Sequence, residues 1–178
     1  MFLRCATEVE IGDYVYSIRN SASIYIKVNR LLNSDKLLDI DKMKAICKLV
    51  YIDDILPSVT AVEKYLRLFS KPTGGEPCFD LEQDKELIYA GFRQAYHIDL
   101  DKDDLSIEEF LALLKGLPEG TKFAEVIRIR TMPIPEPTKY NTKERHAIIR
   151  AKNAVALKKD NLKEGLRGLA DMMRKWHG

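Results

Sequence analysis

The stretch FDLEQDKELIYAGFRQAYHIDLDKDDLSIEEFLALLKGLP, residues 79–118, carries the clearest structural pattern of the chain. Asp80 lies three residues before Gln83, and Ser106 lies three residues before Glu109, which is the spacing of a capping box. In such a box one side chain accepts hydrogen bonds from N–H groups of the first helical turn, and the other reaches back to the first residue. The stretch therefore predicts two helices joined by an acidic loop.

Apolar residues support both predicted helices, because they recur at the three- and four-residue intervals that form one helical face. The first helix carries Leu81, Ile88, Phe92 and Ala95, with Tyr89 and Tyr96 alongside, and the second carries Ile107, Phe110, Leu111 and Leu114. Each helix thus has an apolar face that folding must bury.

The loop between these helices resembles a calcium-binding EF-hand loop in its first half only. Asp99, Asp101 and Asp103 occupy the first, third and fifth positions of such a loop. The sixth position is Asp104 where the turn requires glycine, and the twelfth is Phe110 where a glutamate closes the coordination shell. We interpret the loop as an acidic, solvated connection that holds no metal.

Residues that could carry catalysis or bind a cofactor do not occur in the required spacings. The histidines and cysteines are scattered, without C-x-x-C or paired-ligand spacing, at His97, His146, His177, Cys5, Cys47 and Cys78. No nucleophile elbow or phosphate-binding glycine loop is present. We therefore expect a non-enzymatic protein without cofactor or metal. Unpaired cysteines and the lack of a signal sequence or membrane span predict a location in a reducing cytoplasm.

The remaining chain predicts a mainly α protein, a compact multi-helix domain with a small N-terminal β-hairpin. Alternating residues flank Gly12 and Asp13, which predicts a hairpin with a type II′ turn. Helical stripes follow in residues 24–32, 43–50 and 59–69, and the segment 121–131 fits a helix, although its last four residues also alternate like a strand. Alternate prolines in residues 132–138 predict an extended strap, and Asn141 with Glu144 predicts a capped helix that runs to about Lys159.

The predicted domain organisation has residues 1–134 as hairpin plus helical core and residues 139–178 as a basic C-terminal helical segment, together one structural unit. The sequence KPTGGEP, residues 71–77, holds two prolines and two glycines and is the best internal boundary. Eleven Lys and Arg stand against four Asp and Glu in residues 139–178, so this segment carries +7 while the chain as a whole carries +2.

The C-terminal end contains the candidate partner-binding residues. Its last predicted helix has an apolar strip formed by Leu162, Leu166, Leu169, Met172, Met173 and Trp176. Lys163, Arg167 and Arg174 form a basic face opposite the strip. The strip fits docking of a partner helix or of another copy, and packing inside the molecule explains it equally well. The basic face permits nucleic-acid binding, but near-neutral overall charge favours a solvated helix face.

Three stretches together resemble the bacteriophage Gp15 family of siphophage and prophage proteins. They are FDLEQDKELIYAGFRQAYHIDL, EEFLALLKGLPEGTKFAEVIRIRTM and KERHAIIRAKNAVAL. The similarity extends from about Val9 to Lys159. This chain departs from the family pattern at Ser106–Glu109 and at Arg145–Ala147, where aromatic residues are usual.

The resemblance implies a role in phage tail morphogenesis, where small α-helical tail assembly chaperones bind the helical tape-measure protein and keep it soluble. Such a role implies tape-measure or other tail proteins as partners, self-association, action in the host bacterial cytoplasm, and no active site. Two alternatives remain open: a structural tail or connector component of the virion, and a small nucleic-acid-associated phage protein that uses the basic C-terminal tail.

Overall fold

The computed structural model describes residues 5–69 and 78–158, and in these ranges the chain forms a two-stranded antiparallel hairpin followed by seven α-helices. The mainly α prediction and the N-terminal hairpin are confirmed. The elements are β1 (Glu8–Ile11), β2 (Tyr14–Ser17), α1 (Ala22–Leu32), α2 (Asp39–Val50), α3 (Val59–Phe69), α4 (Lys85–Tyr96), α5 (Ile107–Lys115), α6 (Lys122–Thr131) and α7 (Thr142–Ala154).

The described residues form two compact units, and each unit is discontinuous in sequence. Residues 5–69 and 100–113 belong to the first unit, and residues 78–99 and 114–158 belong to the second. The predicted boundary at residues 71–77 lies outside the described residues. The predicted division at residues 134–139 stays a prediction.

The hairpin of the first unit follows the predicted pattern. Gly12 has a φ of 61°, while no positive φ occurs at Asp13, which matches a type II′ turn. Val9 pairs with Tyr16, and an isolated bridge between Ile18 and Tyr51 connects the hairpin to the end of α2. A lone hairpin is marginally stable in water, so this bridge and the burial of Val9 and Ile18 secure it.

The core of the first unit is built from the apolar stripes of α1, α2 and α3 together with the inner face of the hairpin. Its buried members are Val9, Ile18, Val28, Ile46, Cys47, Val50, Tyr51, Ala61, Val62, Tyr65 and Ile107. Leu111 packs against the same cluster, so α5 contributes to this core although it is distant in sequence.

Asn20 joins α5 to the N-terminal part of the first unit through both ends of its amide. Its Nδ2 donates to the Ala6 carbonyl at 2.8 Å and to Glu108 Oε2 at 2.7 Å, while its Oδ1 accepts from the Ile107 N–H at 2.8 Å. Glu108 Oε1 also accepts from the Ala6 N–H at 2.8 Å. We call this set of bonds the Asn20–Glu108 clasp. It satisfies an N–H group at the start of α5 that has no partner within the helix.

The second capping box is confirmed, and it lies at the start of α5. The Ser106 N–H donates to Glu109 Oε2 at 2.9 Å, and the Glu109 N–H donates to Ser106 Oγ at 3.3 Å. The Ser106 hydroxyl also contacts Glu109 Oε2 at 2.7 Å. These bonds from Ser106 lower the pKa of the Glu109 carboxyl, because they favour its ionised form.

The first predicted capping box is wrong in its partner and in the position of the helix. Asp80 Oδ1 accepts from the N–H groups of Glu82 and Gln83, as expected, but residues 81–84 form a turn and α4 begins only at Lys85. The reciprocal bond comes from the Asp80 N–H to Asp84 Oδ2 at 3.0 Å, so the partner lies one residue further along the chain than predicted. Gln83 is thereby free to bond elsewhere.

The second unit packs α4 against α6 and α6 against α7. Residues 122–131 are helical, which confirms the helix interpretation over the strand, and the proline-rich residues 132–138 form no helix or strand. Gly91 on the buried face of α4 allows a close approach, because a Cβ there would lie 3.1 Å from Leu117 Cδ1. Without a glycine at its end, α4 stops at His97, which adopts a left-handed φ of 57°.

The third predicted capping box is also wrong. Asn141 is the N-cap of α7, but its side chain makes no cap bond; its Oδ1 accepts from the Thr138 N–H and its Nδ2 donates to the Glu136 carbonyl. The Asn141 amide is thus bonded to the strap before the helix, and not to the N–H groups of the helix as predicted. The helix ends at Ala154, five residues before the predicted end, and buries none of its residues.

Two buried tyrosines of the first unit provide a matched test of the core. The Tyr51 hydroxyl donates to the Ala61 carbonyl at 2.8 Å, whereas the Tyr65 hydroxyl finds no hydrogen-bond partner among the described residues. Burial raises the pKa of both phenols, so both remain neutral.

Tyr65→Phe should leave the free energy of unfolding unchanged or raise it by up to about 1 kcal/mol, while Tyr51→Phe should lower it by about 1 kcal/mol. Chemical denaturation followed by circular dichroism measures both; an equal loss in the two variants would contradict this assignment.

The Ser106–Glu109 box provides a second test, with a pH dependence. Ser106→Ala should destabilise the protein by about 1 kcal/mol at neutral pH. Because the folded-state pKa of Glu109 is lowered, its contribution is present above the unfolded-state pKa and is lost as the pH falls through the folded-state value. The difference between wild type and variant should therefore shrink below about pH 4. A difference that stays constant from pH 7 to pH 3 would show that the carboxylate plays no part in the box.

Candidate interaction surface

A recess in the surface of the first unit lies where α1, α2 and α3 meet. It is lined by Leu32, Asp39, Lys42, Met43, Ile46, Val59 and Val62. Four of these, at positions 39, 42, 43 and 46, lie on one face of α2 because they are three or four residues apart. We call this feature the α2–α3 recess.

The recess is too small to hold a metabolite or a large side chain. Its cavity volume is about 10 Å³, which is the space of about one water molecule. Pockets for small molecules usually measure about 300–1,000 Å³ and enclose most of the ligand. A partner can therefore use this feature only through contact with its apolar lining residues.

Exposed apolar side chains stand beside the lining residues in sequence. Leu38 precedes Asp39 and is 71% exposed, Ile40 follows it and is 46% exposed, and Leu56, three residues before Val59, is 87% exposed. We call these three residues the apolar rim. Single exposed leucines are common on protein surfaces; these three are considered because each is close in sequence to a residue that lines the recess.

Charge around the recess is mixed, with an acidic start of α2. The first turn of α2 contains Asp39 and Asp41, and Lys42 Nζ lies 3.6 Å from Asp39 Oδ1 in a partly exposed ion pair. An acidic first turn is favoured by the helix dipole, so these carboxylates stabilise α2 as well as charging the edge of the recess.

The described residues offer little for catalysis or metal binding. Among residues 5–69 and 78–158 no three His, Cys, Asp or Glu side chains are grouped to hold a metal ion. Burial raises the pKa of the Cys47 thiol, which keeps it in the unreactive protonated form. None of the helices in the same part of the chain is long and apolar enough to cross a membrane.

The partner-binding residues predicted from the sequence lie outside the described residues. This applies to the apolar strip, Leu162, Leu166, Leu169, Met172, Met173 and Trp176, and to the basic face, Lys163, Arg167 and Arg174. Their assignment stays a prediction.

The basic segment is described as far as Lys158, and three of the basic side chains in and just before it bind backbone carbonyls of the second unit. Lys152 Nζ donates to the carbonyls of Arg130 and Met132, each at 2.7 Å, and the Arg145 guanidinium donates to the Pro135 carbonyl. Arg130 Nε donates to the Val155 carbonyl at 2.6 Å. These bonds fasten the strap and the end of α7, so this part of the positive charge serves the fold.

Arg130 is the centre of that arrangement. Its guanidinium forms a two-pronged ion pair with Asp84, at 2.6 and 2.8 Å, and Nη1 also donates to the Cys78 carbonyl at 3.1 Å. The side chains of Arg130 and Asp84 are only 8% and 2% exposed. Arg130 therefore bonds both to Cys78, the first described residue of this unit, and to Val155, which lies near its last described residue.

Sequence reasoning missed the recess and the Arg130–Asp84 pair for different reasons. Met43, Ile46 and Val62 lie in the predicted helical stripes, and no sequence pattern shows that part of such a stripe stays open. A signal for the ion pair was present, since Arg130 falls on the apolar face of the predicted helix, where a charged residue requires a buried partner.

Comparison with known proteins gave one match. A family described as "Bacteriophage Gp15 protein" matches residues 4–157, which is most of the chain and includes both units. The searches among curated proteins and among solved structures found no match.

Removal of Arg130 tests the importance of the buried pair. Arg130→Met should lower the free energy of unfolding by about 3–5 kcal/mol, because the buried Asp84 carboxylate loses its cation and keeps only the hydrogen bond from the Asp80 N–H. Adding Asp84→Leu should recover much of this loss, since the unpaired carboxylate is then gone. Thermal and chemical denaturation measure both variants. A loss below about 1 kcal/mol for Arg130→Met would show that the pair is solvated and does not organise the unit.

Proposed function

The chain belongs to the bacteriophage Gp15 protein family, and we propose that it is a non-enzymatic tail assembly chaperone. It binds the helical tape-measure protein in the host cytoplasm and keeps this long partner soluble until tail-tube subunits assemble around it. The observation that carries the proposal is the family match over residues 4–157, since the family is one of phage structural and morphogenesis proteins.

The α2–α3 recess supplies a contact of the required kind. An amphipathic helix binds a groove by inserting apolar anchors at three- and four-residue spacing. The lining residues Met43 and Val62 and the apolar rim at Leu38, Ile40 and Leu56 provide apolar area for such anchors. Burial of one large apolar side chain contributes about 1.5–3 kcal/mol. That is a moderate contact, suited to a partner that must later be released.

The proposed mechanism requires many such contacts along one partner. A tape-measure protein is a long helical chain that presents anchors repeatedly, so several chaperone copies bind side by side. Once one copy is bound, its neighbours benefit from a raised local concentration, and the total affinity exceeds that of any single contact. No chemical step is needed for this task.

The two alternatives predict different behaviour. A structural tail or connector component stays in the mature virion, whereas a chaperone leaves during assembly. A nucleic-acid-associated protein needs free basic side chains; in the described part, Arg145 and Lys152 are already bonded to carbonyls, which favours the chaperone.

Co-expression tests the proposal directly. A fragment of the tape-measure protein from the same phage should become soluble and co-purify when it is expressed with this chain. The double variant Leu38→Asn with Leu56→Asn should weaken the complex at least about tenfold, because both rim anchors lose apolar contact. Asn is a favourable residue at the N-cap position of Leu38, so α2 should remain intact.

The matched control is Tyr140→Asn, which replaces another exposed apolar residue, 97% exposed, in the second unit. It should bind the fragment like the wild type. An insoluble fragment in the presence of the wild type, or recovery of this protein from purified virions, would overturn the chaperone function.

A further inference from the structure

The proline-rich strap, residues 132–138, has a backbone conformation that its own sequence restricts. Its three prolines stand at alternate positions, and each holds φ at about −65° and keeps the residue before it extended. Met132, which precedes Pro133, has φ −56° and ψ 126°, within the scatter of polyproline II geometry. Residues 132–137 therefore favour a left-handed polyproline II helix with about three residues per turn.

Burial along the strap repeats every three residues, as expected for this helix. Met132 and Pro135 are half-buried, whereas the residues between and after them, Pro133, Ile134, Glu136 and Pro137, are exposed. In a β-strand the three alternate prolines would all lie on one face and share one degree of burial, because the strand has a period of about two residues. The strap thus turns one edge toward the second unit and two edges toward solvent.

Two basic side chains of α7 fasten the inner edge of the strap. Lys152 Nζ donates to the Met132 carbonyl at 2.7 Å, and the Arg145 guanidinium donates to the Pro135 carbonyl. The two bonded carbonyls belong to residues one polyproline II turn apart, so they lie on the same edge. The strap is therefore held in one conformation before a partner binds, which reduces the entropy that binding would cost.

Asn141, the N-cap residue of α7, fastens the far end of the strap. Its Oδ1 accepts from the Thr138 N–H and its Nδ2 donates to the Glu136 carbonyl, each at 2.8 Å. The helix itself receives no cap bond from this side chain. Removal of the Asn141 amide should therefore loosen the strap without removing any of its exposed groups.

The outer edges of the strap combine exposed apolar side chains with carbonyl acceptors. Ile134 is 43% exposed, and Pro133 and Pro137 are exposed on either side of it. The carbonyls of these three residues accept no hydrogen bond from any residue in the ranges 5–69 and 78–158. Proteins bind ligands of this form in grooves lined by aromatic side chains. Trp and Tyr suit such grooves, because their rings pack on apolar groups while the N–H or O–H donates to a carbonyl.

We propose that the strap is a docking ligand whose outer edges bind an aromatic-lined groove, rich in Trp and Tyr, on a partner protein. This contact differs from the one at the apolar rim, since the strap enters the partner's groove as an extended segment and no helix is recognised. A chain with both contacts holds the tape-measure protein beside a second protein. That consequence rests on the proposed function, whereas the strap contact does not.

Photo-crosslinking in host cells during phage production tests the contact in the full-length chain. The photoreactive residue p-benzoylphenylalanine replaces Ile134 in one variant and Ala90, an exposed apolar residue of α4, in the control variant. Irradiation should join position 134 to one partner protein, and mass spectrometry should locate the attachment beside Trp or Tyr residues of that partner. Position 90 should give no product with the same protein.

Binding of the purified partner to three variants then separates contact from preorganisation. Ile134→Asn should weaken binding at least about tenfold, because an apolar contact is lost. Asn141→Ala should weaken it at least about threefold, because the loosened strap must be ordered when it binds. Ala90→Asn should bind like the wild type. Circular dichroism of each variant confirms that the helices have formed.

The proposal is rejected if position 134 gives no more product than position 90, or if its product is a helical segment without aromatic residues, the tape-measure protein included. Wild-type affinity in either Ile134→Asn or Asn141→Ala would also overturn it. The chaperone function is tested separately. If the wild type solubilises a tape-measure fragment while position 134 forms no product, the chaperone function stands and the strap contact is rejected. The reverse pair of results rejects the chaperone function and keeps the strap contact.

Discussion

The Asn20–Glu108 clasp is the constraint on which the organisation of the described chain depends. Through one amide and one carboxylate it ties the start of α5 to residues that precede it by more than eighty positions. Ile107 and Leu111 can then pack on the core that also contains Ile46 and Val62. These last two residues also line the α2–α3 recess, so the candidate interaction surface and α5 share one core. The discontinuous composition of both units follows from this return of the chain.

Local sequence patterns were sufficient to predict most helices and the hairpin. They were insufficient where a side chain had other hydrogen-bond partners in the folded chain. The Gly12 turn, the Ser106–Glu109 box and the helical stripes within residues 5–69 and 78–158 depend on neighbours within a few residues, and these formed, although α4 begins later and α7 ends earlier than predicted. Asn141 and Gln83 were predicted as cap residues, but the strap and the end of α7 provide other partners for their amides. A capping pattern shows which hydrogen bonds a side chain can make, and tertiary contacts determine which of these bonds form. The open recess could not be predicted, because its lining has the same periodicity as a closed core.

Basic residues illustrate that a charge pattern in the sequence does not show what each side chain binds. Arg145 and Lys152 count toward the positive C-terminal segment, which permits a nucleic-acid hypothesis, yet both donate to carbonyls around the strap. The strap is rich in proline, has no helical or strand bonds, and so leaves carbonyls that need donors. Arg130 extends the same principle to the interior, where its bonds to Asp84 and to two carbonyls satisfy a buried guanidinium. The carbonyls of the proline-rich residues 132–138 that lack helix or strand bonds thus accept hydrogen bonds from nearby cationic side chains.

A small apolar recess is a weak binding site, and this weakness suits the proposed role. A single apolar anchor contributes about 1.5–3 kcal/mol, which does not exceed the cost of bringing two proteins together. A bound state then exists only when rim contacts and neighbouring copies add to the anchor. A long helical partner allows both the rim contacts and the binding of neighbouring copies, whereas a short exposed helix of another protein does not. Selectivity would arise from the length and repetition of the partner more than from its exact sequence. Release would follow when tube subunits compete for the same anchors, because each contact can be lost separately at small cost.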